Sequence, residues 1–370
     1  MNIKKIMIIA FSIIAAIILG IIIFINTPRF GKHPAGTRLS RIEKSPNYKS
    51  GQFQNLSPTP MLTEGVNYGK VLMDFFFSAK PKEPQSVLPS LKTNLKALEP
   101  SENVVVWMGH SSYFMQLDGK KILVDPVLSG YASPFSFNIK AYDGSDVYTT
   151  DDIPEIDYLF ITHDHWDHLD YETVLKLKPK IKKVIGGLGV GAHFERWGFD
   201  KSVIMEEDWF KPLYLDEGFI AHVAPARHFS GRGFKRNHTL WASFALFTPA
   251  TKIYIGGDSG YDKHFAEIGE RYGPFDLAVL ENGQYDSKWK YIHMIPNEPL
   301  KAATDLRAQA LLPVHSGKFT LANHDWDEPL SKISATPQDS PIRIITPMIG
   351  EKVNLQDSLQ QFTKWWETVK

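Results

Sequence analysis

The stretch Tyr158-Leu159-Phe160-Ile161-Thr162-His163-Asp164-His165-Trp166-Asp167-His168 decides how this chain is read. An apolar run of strand length ends in three imidazoles and two carboxylates within six residues. Burying ionisable groups costs several kcal/mol unless they are paired or bind a cation, and no packing need explains this density at a strand-to-loop corner. Imidazole and carboxylate are the donors that zinc and its first-row neighbours take. The pattern His-x-His-x-Asp-His therefore points to a metal site, against the bland alternative of a surface loop rich in His by chance.

Working outward, short β-rich runs separated by turns predict strands at 104–107, 113–117, 121–124, 158–161, 184–185, 220–224, 240–247, 252–255, 275–280, 310–313 and 343–346. Asp118-Gly119 reads as a hairpin turn. Helical spacing predicts helices at 171–177, 190–197, 298–306 and, in the tail, 358–369. Strands dominate early and alternate with helices later, which predicts a mixed α/β sandwich of two sheets with helices outside. Three strands run into further ligand types: 220–224 into His228, 252–255 into Gly256-Gly257-Asp258-Ser259, and 310–313 into Val314-His315-Ser316-Gly317. Strand ends collect at one edge of a sandwich, so these side chains can converge on residues 163–168. The glycines beside Asp258 and His315 allow close backbone approach.

Composition narrows the chemistry. Among 370 residues there is no Cys, which excludes disulfides, thiolate metal sites and Cys nucleophiles together. Lys plus Arg and Asp plus Glu number 41 each, so no basic surplus suggests nucleic acid as a partner. Residues 6–25 are apolar save Ser12 and Gly20, long enough to cross roughly 30 Å of hydrocarbon as a helix. The length, and an end in Phe-Ile-Asn-Thr-Pro-Arg without a small-residue cleavage site, favour an uncleaved anchor over a signal peptide. Lys4 and Lys5 flank one side of it, and Arg29, Lys32, Arg38, Arg41 and Lys44 the other. The positive-inside rule leans towards a cytoplasmic body; the absence of Cys leans towards an oxidising compartment, and an extracytoplasmic catalytic body is the reading adopted. The chain divides into an anchor (1–27), a linker and N-terminal extension (28–100) read as a stalk followed by a wrap or cap, and a hydrolase domain (101–370). The run Val71-Leu72-Met73-Asp74-Phe75-Phe76-Phe77 is read as core rather than as a segment dipping into lipid. Nothing in the sequence sets an oligomeric state.

The order of these motifs resembles the metallo-β-lactamase superfamily, and within it the N-acylphosphatidylethanolamine phospholipase D branch. The stretches that carry the resemblance are Trp107-Met108-Gly109-His110-Ser111-Ser112, Leu123-Val124-Asp125-Pro126, residues 163–170, Pro225-Ala226-Arg227-His228-Phe229-Ser230, Thr239-Leu240-Trp241, Gly257-Asp258-Ser259-Gly260, and His293-Met294 followed by Pro296. It covers most of residues 104–328. Ser111 and Ser316 stand where the family often has Ala and Trp, departures that leave the metal pattern intact and bear on the substrate.

The resemblance implies a four-layer αββα sandwich holding two zinc ions, with iron or manganese as alternatives. His163, His165 and His228 would hold one ion and Asp167, His168 and His315 the other, with Asp258 bridging. Two such ions roughly 3.5–4 Å apart make a hydroxide nucleophile available near neutral pH. Asp258, Asp167 and His293 are the candidate catalytic groups. Trp166 is expected at the site mouth against an apolar substrate, and Arg227, Tyr285 and His293 are candidates for phosphate contact or leaving-group protonation, each with a packing or ion-pair role as the alternative. Asp125 either orients a ligand imidazole from behind or forms a turn before Pro126; His110 is a supporting imidazole or, the favoured reading, a satisfied structural one. Ser259 has no partner base in its sequence neighbourhood, which disfavours a serine hydrolase. The function expected is a membrane-anchored dinuclear zinc hydrolase cleaving a phosphodiester of a membrane phospholipid in a phospholipase-D-like manner. The alternatives are a lactonase of small sugar phosphates, for which an anchor has no use, and a non-catalytic metal-binding interaction module, which would have no need of the full ligand set.

Overall fold

The computed structural model describes residues 3–77, 83–335 and 341–369. Two seven-stranded sheets form its centre. In the first, the order is Lys352–Asn354, Val104–Trp107, Tyr113–Leu117, Lys120–Val124, Ile156–Ile161, Ile181–Gly187, Ile204–Glu207. In the second it is Arg343–Ile344, Ala310–Val314, Leu277–Glu281, Lys252–Ile255, Ser243–Phe247, Ile220–Ala224, Lys211–Tyr214. Both sheets are mixed, with the strands that lead into the metal-ligand motifs at 163–168, 258 and 315 pairing in parallel with a neighbour.

The period-two alternation of a strand sorts side chains between layers. Val105 and Trp107 face the inter-sheet core, where they join Met115, Val124 and Phe160 from one sheet and Val223, Phe244, Ile253, Val279 and Leu312 from the other. Val106, Leu159 and Ile161 point outward beneath the helices Tyr171–Leu177 and Gly191–Arg196. On the opposite face Tyr254, Ala278, Leu280 and Leu311 pack under His264–Tyr272, Glu298–Asp305 and Glu328–Ser334. Because both faces of each sheet are covered, the central strands are predominantly apolar, which is why they were legible. The result is a four-layer αββα sandwich, as expected.

Some elements differ from the reading of the sequence. The expected tail helix is only a short 3-10 turn, Trp365–Thr368, because Trp365 and Trp366 are drawn into the inter-sheet core, Trp365 Nε1 donating to Pro347 O at 3.1 Å. The strand expected from residue 240 begins at Ser243; Leu240 and Ala242 instead donate to Leu188 O and Thr162 O of the other sheet's loops. Of the stalk and wrap expected over residues 28–100, the described residues show a segment that packs on the body. Ile42, Phe53 and Leu88 are fully or almost fully buried in the inter-sheet core, and Arg38 pairs with Glu195 and Glu206 at 2.7 Å each, so these segments are integral to the folded body. The Phe run lies in the helix Tyr68–Phe77, where Met73 and Phe77 are exposed rather than core, while the side chains of Leu72, Phe75 and Phe76 lie outside the described residues. The apolar helix Ile3–Ile25 buries none of its residues and meets the length and composition needed to cross a membrane.

Candidate metal centre

The strand ends meet at one edge of the sandwich and are tied across it. His110 N donates to Ser316 O and His315 N to His110 O, both at 2.9 Å, an isolated bridge between loops of the two sheets. His110, Asp125 and His315 all adopt positive φ, at 51°, 42° and 68°. This conformation costs a non-glycine residue about 1–2 kcal/mol, and its concentration here shows backbone bent to aim side chains. At Gly257, φ is +61° and a Cβ would stand 2.8 Å from Thr162 Cβ, so only glycine lets the Asp258 loop lie against the Thr162–His163 strand end.

His163, His165, His228 and Asp258 each place a ligand atom within 4.8 Å of the others. His163 Nε2 lies 2.8 Å from His165 Nδ1, and His228 Nε2 lies 3.3 Å from the same atom. Asp258 Oδ2 stands 3.8 Å from His163 Nε2 and 3.7 Å from His228 Nε2. A tetrahedral centre with metal–nitrogen bonds of 2.0–2.1 Å has ligand-to-ligand edges of about 3.3 Å, and these four distances bracket it. Beside this group, His168 Nε2 is 3.4 Å from Asp167 Oδ2 and 3.1 Å from Asp258 Oδ2, and His315 Nδ1 is 3.2 Å from Asp258 Oδ1. Asp258 thus touches both sets. His168 Nε2 and Asp258 Oδ1 are buried without a hydrogen-bond partner, an arrangement that costs free energy unless a cation answers it. The donor set and its orphaned atoms fit two divalent ions.

The electrostatics suit the same purpose. Burial and neighbouring imidazoles hold His163, His228 and His315 well below the ordinary histidine value, and burial lowers His165 to about 4; their nitrogens are neutral donors at pH 7. His168 is the exception. Burial works to lower it, yet Asp258, Asp167 and Asp125 around it raise it well above the ordinary value.

Behind the cluster, Asp125 Oδ1 accepts from Thr162 N (2.9 Å), and its Oδ2 accepts from Thr162 Oγ1 (2.6 Å) and lies 2.8 Å from His168 Nδ1. This fixes the His168 ring with Nε2 towards Asp258, the orienting role rather than the turn. Asp125→Ala leaves those groups unpaired in a buried site; metal affinity or activity falling roughly 10- to 100-fold, measured by competition with a chelator, is expected. His110, read from sequence as structural, belongs with Asp167, His168 and His315 in one potential ligand group, its Nε2 2.9 Å from Asp167 Oδ2. Glu281 was missed. It ends the strand Leu277–Glu281 fully buried, accepts from Met294 N at 2.5 Å, and pairs with His293 Nδ1 at 2.7 Å, forming with Asp258, His293 and His315 a third overlapping group. An acidic residue ending an apolar strand five positions after Asp276 was the available signal.

A cleft of about 260 Å³ opens over the cluster, with His165, Asp167, His228, Asp258, His293 and His315 on its floor. Its walls are largely apolar: Met61, Leu62 and Tyr68 from the N-terminal extension face Phe229, Trp289 and Leu321. Arg236, over the Phe229 ring at 5.1 Å, is the one fixed cation among the described residues that line it.

The model of the beta-lactamase superfamily domain matches residues 120–316. The chain belongs to the metallo-β-lactamase superfamily. It is 36% identical over 329 residues to an uncharacterized protein of Mycobacterium tuberculosis, covering 88% of each chain. It is 30% identical over 273 residues to N-acyl-phosphatidylethanolamine-hydrolyzing phospholipase D 1 of Caenorhabditis elegans, covering 66% of this chain and 76% of that one. Igni18, a metallo hydrolase of Ignicoccus hospitalis, shares the fold with a TM-score of 0.53 at 22% identity, over 68% of this chain and 97% of its own. The protein is therefore a metal-dependent hydrolase of the superfamily, near its N-acylphosphatidylethanolamine phospholipase D branch.

The side chains expected on substrate sit elsewhere in this superfamily member. Trp166 is half-buried between Phe30, edge-on at 5.1 Å, and the Arg232 guanidinium, 3.9 Å over its ring, and is not among the cleft residues. Arg227 faces the N-terminal extension, donating to Thr59 Oγ1 (3.1 Å), Pro58 O (2.8 Å) and Tyr261 O (3.2 Å), and so fixes the wall that carries Met61 and Leu62. Tyr285 donates to Glu328 Oε1 at 2.9 Å and stacks on His324, away from the cleft. Ser259 does have an imidazole beside it, His264 Nε2 at 3.1 Å, contrary to expectation. Its hydroxyl is nevertheless buried, accepts from Arg227 N, and lies outside the cleft, so it serves the Asp258 loop rather than catalysis.

Proposed function

We propose that this hydrolase holds two zinc ions and cleaves the phosphodiester of a membrane phospholipid in a phospholipase-D-like manner. The observation that carries the reading is the cleft: a floor of imidazoles and carboxylates, apolar walls partly built by the N-terminal extension, and one arginine. The floor suits a phosphate, the walls suit acyl chains, and Arg236 suits the negative charge of a diester. Similarity to a phospholipase D of Caenorhabditis elegans supports the substrate class. The apolar helix Ile3–Ile25 supports an anchor that keeps the site near lipid and raises local substrate concentration; the absence of Cys supports an extracytoplasmic body.

His163, His165, His228 and Asp258 would hold one ion, and Asp167, His168, His315 and Asp258 the other, with His110 and Glu281 adjacent. Bound ions supply an ionised water and offset the charge that develops on the phosphoryl oxygens. The protein does the rest. Arg236 orients the diester, the apolar walls exclude bulk water, and Asp125 keeps His168 aimed. His293, with Nδ1 held by Glu281, has Nε2 to exchange a proton with the departing alcohol oxygen.

Arg236→Gln tests the assignment of the cleft. Loss of a charge-assisted contact should lower kcat/KM for an anionic phosphodiester on the order of 10- to 100-fold, chiefly through KM. A neutral ester of similar shape should be turned over unchanged. Equal effects on both would remove Arg236 from phosphate recognition.

A further inference from the structure

The exit of the apolar helix is built into the metal-bearing body rather than tethered to it. Phe24 stacks on Phe135 with centroids 4.8 Å apart and meets Phe30 edge-on at 5.2 Å. Arg29 Nη1 donates to Pro134 O at 2.6 Å, and Arg232 donates from Nε and Nη2 to Arg29 O at 3.0 and 2.9 Å. Two loops therefore flank the helix end, 133–138 and 231–236; the second passes so close that a Cβ on Gly233 would lie 3.7 Å from Phe30 Cδ1. Each raises a phenyl ring into solvent, Phe137 at 75% exposure and Phe234 at 84%. Single exposed apolar residues are ordinary. Two on separate loops, both beside the end of a 23-residue apolar helix and one followed by the exposed Lys235, are not scattered.

We propose that Phe137 and Phe234, with Lys235, form an interfacial footing that inserts into the same bilayer leaflet from which the helix emerges. The occupant is a lipid surface with anionic headgroups. Continuity with the helix argues for it, since a ring fixed beside a span that leaves hydrocarbon must lie at the headgroup boundary, where aromatic and basic side chains are favoured. The loop 231–236 ends at Arg236 on the cleft wall, so the footing also sets the cleft mouth against the membrane. This inference rests on reading Ile3–Ile25 as a membrane anchor.

The chain lacks Cys, so single labels can be placed without background. Full-length Phe137→Cys and Phe234→Cys, each carrying an environment-sensitive fluorophore, are reconstituted in phosphatidylcholine–phosphatidylglycerol vesicles. Tyr214→Cys is the control: Tyr214 is 71% exposed and pairs with Ile220, at the end of its strand pair remote from the metal cluster. Spin-labelled lipid should quench labels 137 and 234 at least several-fold more than label 214. Quenching equal to the control in vesicle-bound protein overturns the footing and leaves the anchor standing. A blue shift without lipid quenching means a second copy covers the rings and overturns it equally. Protein that fails to float with vesicles overturns the anchor and the footing together.

Discussion

Asp258→Asn should lower turnover by at least about 10²-fold, the scale on which changes in metal sites commonly act, while far-ultraviolet circular dichroism stays native. One Asp258 oxygen lies 3.1 to 3.8 Å from His168, His228 and His163, and the other 3.2 Å from His315. No other carboxylate touches both sets of imidazoles among the described residues. Asparagine keeps the shape and removes the charge, so the loss should fall on metal content and rate rather than on folding. The loop is held independently, by Ser259 Oγ accepting from Arg227 N at 2.8 Å and by Gly260 N donating to Arg227 O at 3.0 Å. Near-normal turnover with two ions still bound would place the bridge elsewhere.

Removing the metals should cost still more. Elemental analysis of purified protein should find close to two divalent ions per chain, mostly zinc. Stripping them with a chelator should lower activity on the order of 10³-fold or more, since Lewis-acid stabilisation is worth several kcal/mol. Separate addition of zinc, iron and manganese then identifies the competent ion by the activity each restores. The stripped protein should remain folded, because the two sheets share a continuous apolar core and the His110–Ser316 bridge joins them without any ion. Its thermal midpoint should drop, as ligand linkage requires. Full activity in a preparation free of metal would end the mechanism.

The sandwich and its seven proposed ligands were legible because each rests on a local signal. Apolar strands covered on both faces stand out in sequence, and a ligand type one to four residues beyond such a strand is placed by topology alone. The residues that went unread depend on how loops fold back. Arg227 and Arg236 lie nine residues apart in one glycine-containing loop, and nothing local says which faces the cleft; the contacts of Arg227 with residues 58 and 59 settle it. Glu281 hid as the last residue of a strand, its meaning set by His293 twelve positions later. The cleft wall at Met61 and Leu62 comes from a Pro- and Ser-rich segment with no periodicity, ordered by its contacts with the body. The tail reads as a helix because its periodicity is weakly helical, and two tryptophans entering the core override that preference.

The most direct measurement is the site of bond cleavage. Full-length protein in phospholipid and N-acylphosphatidylethanolamine vesicles, turned over in ¹⁸O-water, yields products that mass spectrometry can assign. Attack at phosphorus with the headgroup oxygen as leaving group releases the headgroup alcohol unlabelled and leaves one ¹⁸O in the phosphatidate, the outcome required of a phospholipase-D-like hydrolase. Labelled fatty acid with an intact phosphodiester would contradict it.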